Sequence, residues 1–125
     1  MDWVNNRGYN VKNITDLTKK IIGFRDARDW KQFHNPKDVS ISMALEAAEL
    51  LEHFQWKNAK EIKKHIKSHK TEISEELADV LYWVLLLSHD LKIDVLDALD
   101  KKLRKNARKY PVSKAKGRHT KYDKL

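Results

Sequence analysis

Four acidic residues sit where acids are costly. The stretch Ile41–Trp56, ISMALEAAELLEHFQW, is apolar enough for a core helix, yet it sets Glu46 and Glu49 among Met43, Leu45, Ala47, Ala48, Leu50 and Leu51. Residues three apart on a helix share a face, and a carboxylate placed among apolar side chains is expensive unless something neutralises it. A second stretch, Glu75–Leu87, EELADVLYWVLLL, repeats the spacing with Glu76 and Asp79. Two helices packed antiparallel bring the pairs together around one cavity. Hard oxygen ligands of that kind select Mg²⁺, with Mn²⁺ as the other choice. The plainer reading is solvated surface charge, and it suits Glu52, Glu61, Glu72 and Glu75. For Glu76 and Asp79, stabilisation at a helix N-terminus competes with the metal reading. Periodicity alone leaves both open.

Two further groups of residues can do chemistry. Trp30, His34, Phe54, Trp56, Tyr82 and Trp83 form an aromatic set, and four tryptophans in 125 residues exceed what packing needs. Phe54 reads as core. Trp83 follows Asp79 by one helical turn, near the acidic face. The other group is basic. Residues 101–125 hold eleven Lys and Arg against one acid, Asp123, while the rest of the chain holds fifteen against seventeen. The net charge of +8 is therefore concentrated at the C-terminal end, which suits phosphate on a nucleotide or a nucleic acid.

The elements that must carry these residues read as helices. Glycines number three and prolines two, and no strand-length alternation competes. A lead-in is expected over residues 1–13. A first helix capped by Thr15 or Asp16 runs to about Phe33, with Leu17, Ile21, Phe24 and Ala27 in register. Pro36 ends it. A second helix, capped by Asp38 or Ser40, runs to about Trp56. Residues 57–70 form a short surface helix or turn. A third helix runs from Thr71 to about His89, and a fourth, capped by Asp94, runs to about Arg108 and is stopped by Pro111. The expected architecture is all-α, a four-helix bundle-like domain over residues 14–110, followed by a basic tail over 111–125. The absence of cysteine fits a reducing, cytoplasmic setting. No apolar run is long enough for a membrane partner, and no signal-peptide core opens the chain.

The phrases RDWKQFHNP (28–36), ELLEHFQWK (49–57), EELADVLYW (75–83), KNARKYP (105–111) and KGRHTKY (116–122) make the chain similar to the MazG superfamily of all-α nucleotide pyrophosphohydrolases. Within it, the chain most resembles the dCTP pyrophosphatase branch. The resemblance covers roughly residues 14–122. It implies that Glu46, Glu49, Glu76 and Asp79 hold Mg²⁺ against a triphosphate. It implies a base pocket at Trp30, His34, Trp56 and Trp83, with relatives carrying Tyr at the position of Trp83. It also implies that Lys102, Asn106, Tyr110 and Lys121 approach the phosphates, with the tail closing over the nucleotide. Attack of water at the α-phosphorus then yields monophosphate and pyrophosphate, and Glu49 handles that water, with Glu52 as the alternative. The small bundle is expected to be completed by self-association as a homodimer or homotetramer.

The expected function is thus Mg²⁺-dependent cleavage of dCTP or a modified pyrimidine dNTP, cleaning the nucleotide pool. A broad-specificity dNTP pyrophosphatase is the rival within the class. A basic helical module that binds nucleic acid is the rival outside it, and it predicts steep salt dependence and no need for Mg²⁺. A catalytically silent nucleotide sensor is disfavoured by the complete acid set.

Overall fold

The computed structural model describes residues 13–125. Among them every regular element is helical, as the patterning predicts. The lead-in expected over residues 1–13 lies, apart from Asn13, outside the described residues. Contacts divide the chain into two compact units, one ending at Leu91 and one running from Lys92 to Leu125.

In the first unit, α1 (Ile14–Ala27) is capped by Asn13, whose Oδ1 accepts from the Asp16 backbone N–H at 2.9 Å. It stops six residues before the expected end. Asp29 takes a left-handed φ of 55°, and the Trp30 N–H folds back onto the Arg25 carbonyl. Aspartate tolerates that region better than most residues. A 3₁₀ turn, Lys31–Phe33, leads to Asn35 and Pro36. Helix α2 (Pro36–Glu52) starts there, with proline preset at its first position and Asn35 as cap. It ends at Glu52, in a turn where Trp56 takes φ 67°.

The lysine-rich segment forms a full helix, α3 (Ala59–Ser68), fixed by a reciprocal capping box. The Glu61 N–H donates to Asn58 Oδ1, and the Asn58 N–H donates to Glu61 Oε1. His69 alone joins it to α4 (Lys70–Asp90). Helix α4 is the hub, packing on α2, α1 and α3. That is why VLYWVLLL is apolar around the whole helix rather than along one stripe. Among the described residues, Ile21, Val39, Leu85 and Leu86 are the buried apolar residues, one from each of α1 and α2 and two from α4. Arg25 is buried among them at 1% exposure, with its Nη1 on both oxygens of Asp90 at 2.9 and 2.7 Å. Ile41, Leu45, Leu77 and Leu81 stay exposed on α2 and α4.

The second unit holds α5 (Val95–Lys109), capped by Asp94, then a short α6 (Val112–Ala115) and a 3₁₀ turn, Tyr122–Lys124. The tail returns onto the end of α5: Tyr122 meets Tyr110 edge-on at 6.0 Å, and Lys109 Nζ lies 4.6 Å from the Tyr122 ring centre. No helix among the described residues is long and apolar enough to cross a membrane.

Candidate functional site

Packing of α2 on α4 turns two sequence spacings into one cluster. Glu46, Glu49 and Glu76 each offer a carboxylate oxygen, and these atoms lie within 4.8 Å of one another. Glu46 and Glu76 are half-buried and Glu49 is exposed. Glu46 Oε2 and Glu76 Oε2 are out of water with no hydrogen-bond partner. Such orphaned acceptors are rare in native proteins and call for an explanation.

The electrostatics say what is missing. Burial pushes the Glu46 carboxyl up to about 7, helped by its hydrogen bond to Glu49 and by the charges of Asp79, Glu49 and Glu76. Glu76 is raised too, first by burial, then by its hydrogen bond to Glu49 and the charges of Glu49 and Asp79, with His53 opposing. Crowded carboxylates cannot all ionise without a counter-charge. Protons supply it partly, and a divalent cation supplies it better. Hard oxygens with unused lone pairs fit such an ion.

Asp79 is exposed, one turn beyond Glu76. Its oxygens stand outside the 4.8 Å cluster, although its charge acts on both Glu46 and Glu76. It lines, with Glu46, a cavity of about 540 Å³. The remaining walls are Leu17, Lys20, Ile21, Phe24, Trp30, Tyr82 and Trp83. That volume falls in the usual range for a small-molecule site, and the lining is the usual mixture of apolar walls with a few polar groups.

Two of the four expected base-pocket residues, Trp30 and Trp83, line this cavity. Trp30 is held by an edge contact to Phe24 at 5.8 Å, and Trp83 by Tyr82 at 5.0 Å. His34 stands behind, with its ring 5.5 Å from that of Trp83. Its Nδ1 is buried and unpartnered, and its pKa is lowered by burial and by Arg25, with Asp90 opposing. Trp56 is not part of the lining; it is 91% exposed. Among the phosphate-directed residues, Lys102 and Asn106 lie four apart on α5, Tyr110 caps that helix, and Lys121 precedes the last turn. All four belong to the second unit.

The sequence reading missed the contribution of α1 to the cavity. Its Leu17, Ile21 and Phe24 were legible only as a core stripe, and one stripe can serve a core and a cavity wall alike. Tyr82, which the sequence marks only as aromatic, also lines the cavity. Burial raises its phenol pKa, with Arg25 and Arg28 opposing.

A polar cavity of about 330 Å³ also adjoins the acidic cluster, lined by Glu49, Glu52, His53, His65 and Glu76.

The MazG-like family matches residues 41–125, a span that includes all four acids. The dCTP pyrophosphatase 1 of Bos taurus is 32% identical over 114 residues, covering 90% of this chain and 68% of that protein. The dCTP pyrophosphatase 1 of Homo sapiens is also 32% identical over 114 residues, with 90% and 67% covered. Among solved structures, the crystal structure of a pyrophosphatase from Archaeoglobus fulgidus superposes with a TM-score of 0.76 at 38% identity, covering 82% of this chain and 95% of that one.

Proposed function

The chain belongs to the MazG-like family and is a nucleotide pyrophosphohydrolase, and we propose that it cleaves dCTP or a base-modified pyrimidine relative to the monophosphate and pyrophosphate, with Mg²⁺ as its ion. One observation carries this reading: three glutamates from two helices converge within 4.8 Å at the edge of an aromatic cavity large enough for a nucleoside.

The residues divide the work. Glu46, Glu49 and Glu76, with Asp79 nearby, hold the divalent ion. When bound, the ion supplies Lewis acidity at the α-phosphorus and lowers the pKa of water. Trp30 and Trp83 grip the base between aromatic faces, and His34 backs Trp83. Glu49, the exposed member of the cluster, takes a proton from the attacking water, with Glu52 in the same polar cavity as the alternative. The water oxygen bonds to the α-phosphorus, the bond from that phosphorus to the bridging oxygen breaks, and pyrophosphate leaves. Lys102, Asn106, Tyr110 and Lys121 meet the phosphates.

Self-association completes the assembly in this reading. Exposed Ile41, Leu45, Leu77 and Leu81 leave apolar surface on the two site-bearing helices, and a dimer or a pair of dimers covers it. The role is removal of unwanted deoxynucleotides from the pool. Incubation with dCTP and Mg²⁺, with product identification, tests the class: dCMP and pyrophosphate are expected, and dCDP with orthophosphate overturns it. Equal rates across the four dNTPs would replace the pyrimidine preference by broad specificity.

A further inference from the structure

The polar cavity beside the acidic cluster holds a histidine arrangement that phosphate hydrolysis does not use. His53 Nδ1, in the turn after α2, lies 2.9 Å from His65 Nε2 on α3. His65 stacks on His69 with centroids 4.0 Å apart and planes 10° apart, which fixes its ring. Both His53 and His65 line the cavity together with Glu49, Glu52 and Glu76. Glu49 and Glu76 already belong to the first cluster. Glu52, the alternative to Glu49 for the attacking water, makes no hydrogen bond or ion pair among the described residues, so its carboxylate is open to a ligand.

We propose that His53, His65 and Glu52 form a second cation site, for a divalent transition ion that prefers imidazole, such as Zn²⁺, Ni²⁺ or Co²⁺. Three glutamates in the lining make the cavity unfit for an anion and fit for a cation. The imidazole pair then sets the class, since Mg²⁺ takes oxygen ligands while imidazole suits the later transition metals. Two imidazole nitrogens bound to one tetrahedral ion at about 2.0–2.1 Å stand roughly 3.4 Å apart. The observed pair needs to open by only about half an ångström to reach that spacing. Ligation needs a neutral ring, and His65 is biased that way by burial and by the neighbouring His69, Lys57 and His53, with Glu72 opposing. Water fills the remaining coordination positions.

Cobalt titration tests the site without using turnover. Metal-free protein is placed in excess Mg²⁺, which occupies the carboxylate cluster, and Co²⁺ binding is followed by calorimetry and visible absorption. Wild type is expected to bind one Co²⁺ per chain. His65→Gln and His53→Gln should weaken that binding at least tenfold, while Glu46→Gln retains it. No Co²⁺ binding over Mg²⁺, or equal affinity in the histidine variants, overturns the proposal. Should those variants fail to fold by circular dichroism, the wild-type imidazole proton signals decide: Zn²⁺ must move His53 and His65 and leave His89 and His119 in place.

Discussion

Glu46 on α2 and Glu76 on α4 each keep one carboxylate oxygen out of water without a hydrogen-bond partner, and each is hydrogen bonded to Glu49 between them. The arrangement is unfavourable in an ion-free protein and favourable around a cation. Glu76→Gln removes one charge and one ligand together. Metal chemistry of this kind supplies several kcal/mol of transition-state stabilisation, so turnover should fall by about a hundredfold or more. Thermal stability in chelator should stay level or rise, because repulsion is relieved. In wild type, added Mg²⁺ should raise the melting temperature, with a stabilisation of about 2.7 kcal/mol at a hundred times Kd. In Glu76→Gln that rise should shrink. A variant that melts early in chelator would mean that Glu76 is structural instead.

The Glu46 contribution to the pH dependence of the metal-free protein has a definite sign. Glu46 titrates at about 7 in the folded chain, against 4.5 for an ordinary glutamate. Between those values the folded state holds a proton that the unfolded state has lost. The stabilising contribution of that proton is fully present below the unfolded pKa and is lost as pH rises through the folded one. The Glu46 contribution to stability in chelator should therefore fall between about pH 5 and pH 8, against a rise from His34 and His65, whose lowered pKa values favour the folded state as pH increases. Relative to wild type, Glu46→Gln should lose this fall, and a saturating divalent ion should remove it by replacing the proton. Wild-type and Glu46→Gln proteins whose melting temperatures depend on pH alike would contradict the cluster.

The carboxylates were legible from sequence because their signal is local: acids three apart inside apolar helices. Helix existence was legible for the same reason. Helix ends were not: α1 gives way to a turn in which Asp29 takes positive φ, α2 stops at Glu52, four residues short of Trp56, and nothing in RDW or EHFQW announces either. Nor was the partner of Arg25, which is 65 residues away at Asp90. The cavity walls from α1 were hidden because tertiary packing, not spacing, decides which face of a stripe is a core and which is a pocket.

The Arg25–Asp90 pair ties α1 to the hub helix. Removing one partner of a buried pair strands the other, at about 3–5 kcal/mol. Asp90 keeps 24% of its side-chain exposure, so the lower end applies. Arg25→Met and Asp90→Ala should each lower the free energy of unfolding by about 3 kcal/mol. The double variant should cost less than the two added, because no lone charge is left. Urea unfolding of the four proteins gives the coupling directly, and simple additivity would show that the pair contributes nothing as a pair.

Trp56 separates stability from binding. Its side chain is 91% exposed and its backbone sits at φ 67°, a region that costs an L-residue roughly 1–2 kcal/mol. Asparagine tolerates that region and loses no packing here. Trp56→Asn should therefore leave the isolated chain as stable or slightly more so. If the side chain meets the base only on self-association, the same variant should raise KM for dCTP by about five- to a hundredfold, the range of one base stack. Trp83→Ala is the contrasting case. Its ring is packed against Tyr82 and His34 and lines the cavity, so it should lose both stability and affinity. Unfolding curves beside KM values for the two variants distinguish the roles. A Trp56→Asn protein with unchanged KM would leave the exposed indole without a part in nucleotide binding, and the base pocket would then be the α1–α4 cavity alone.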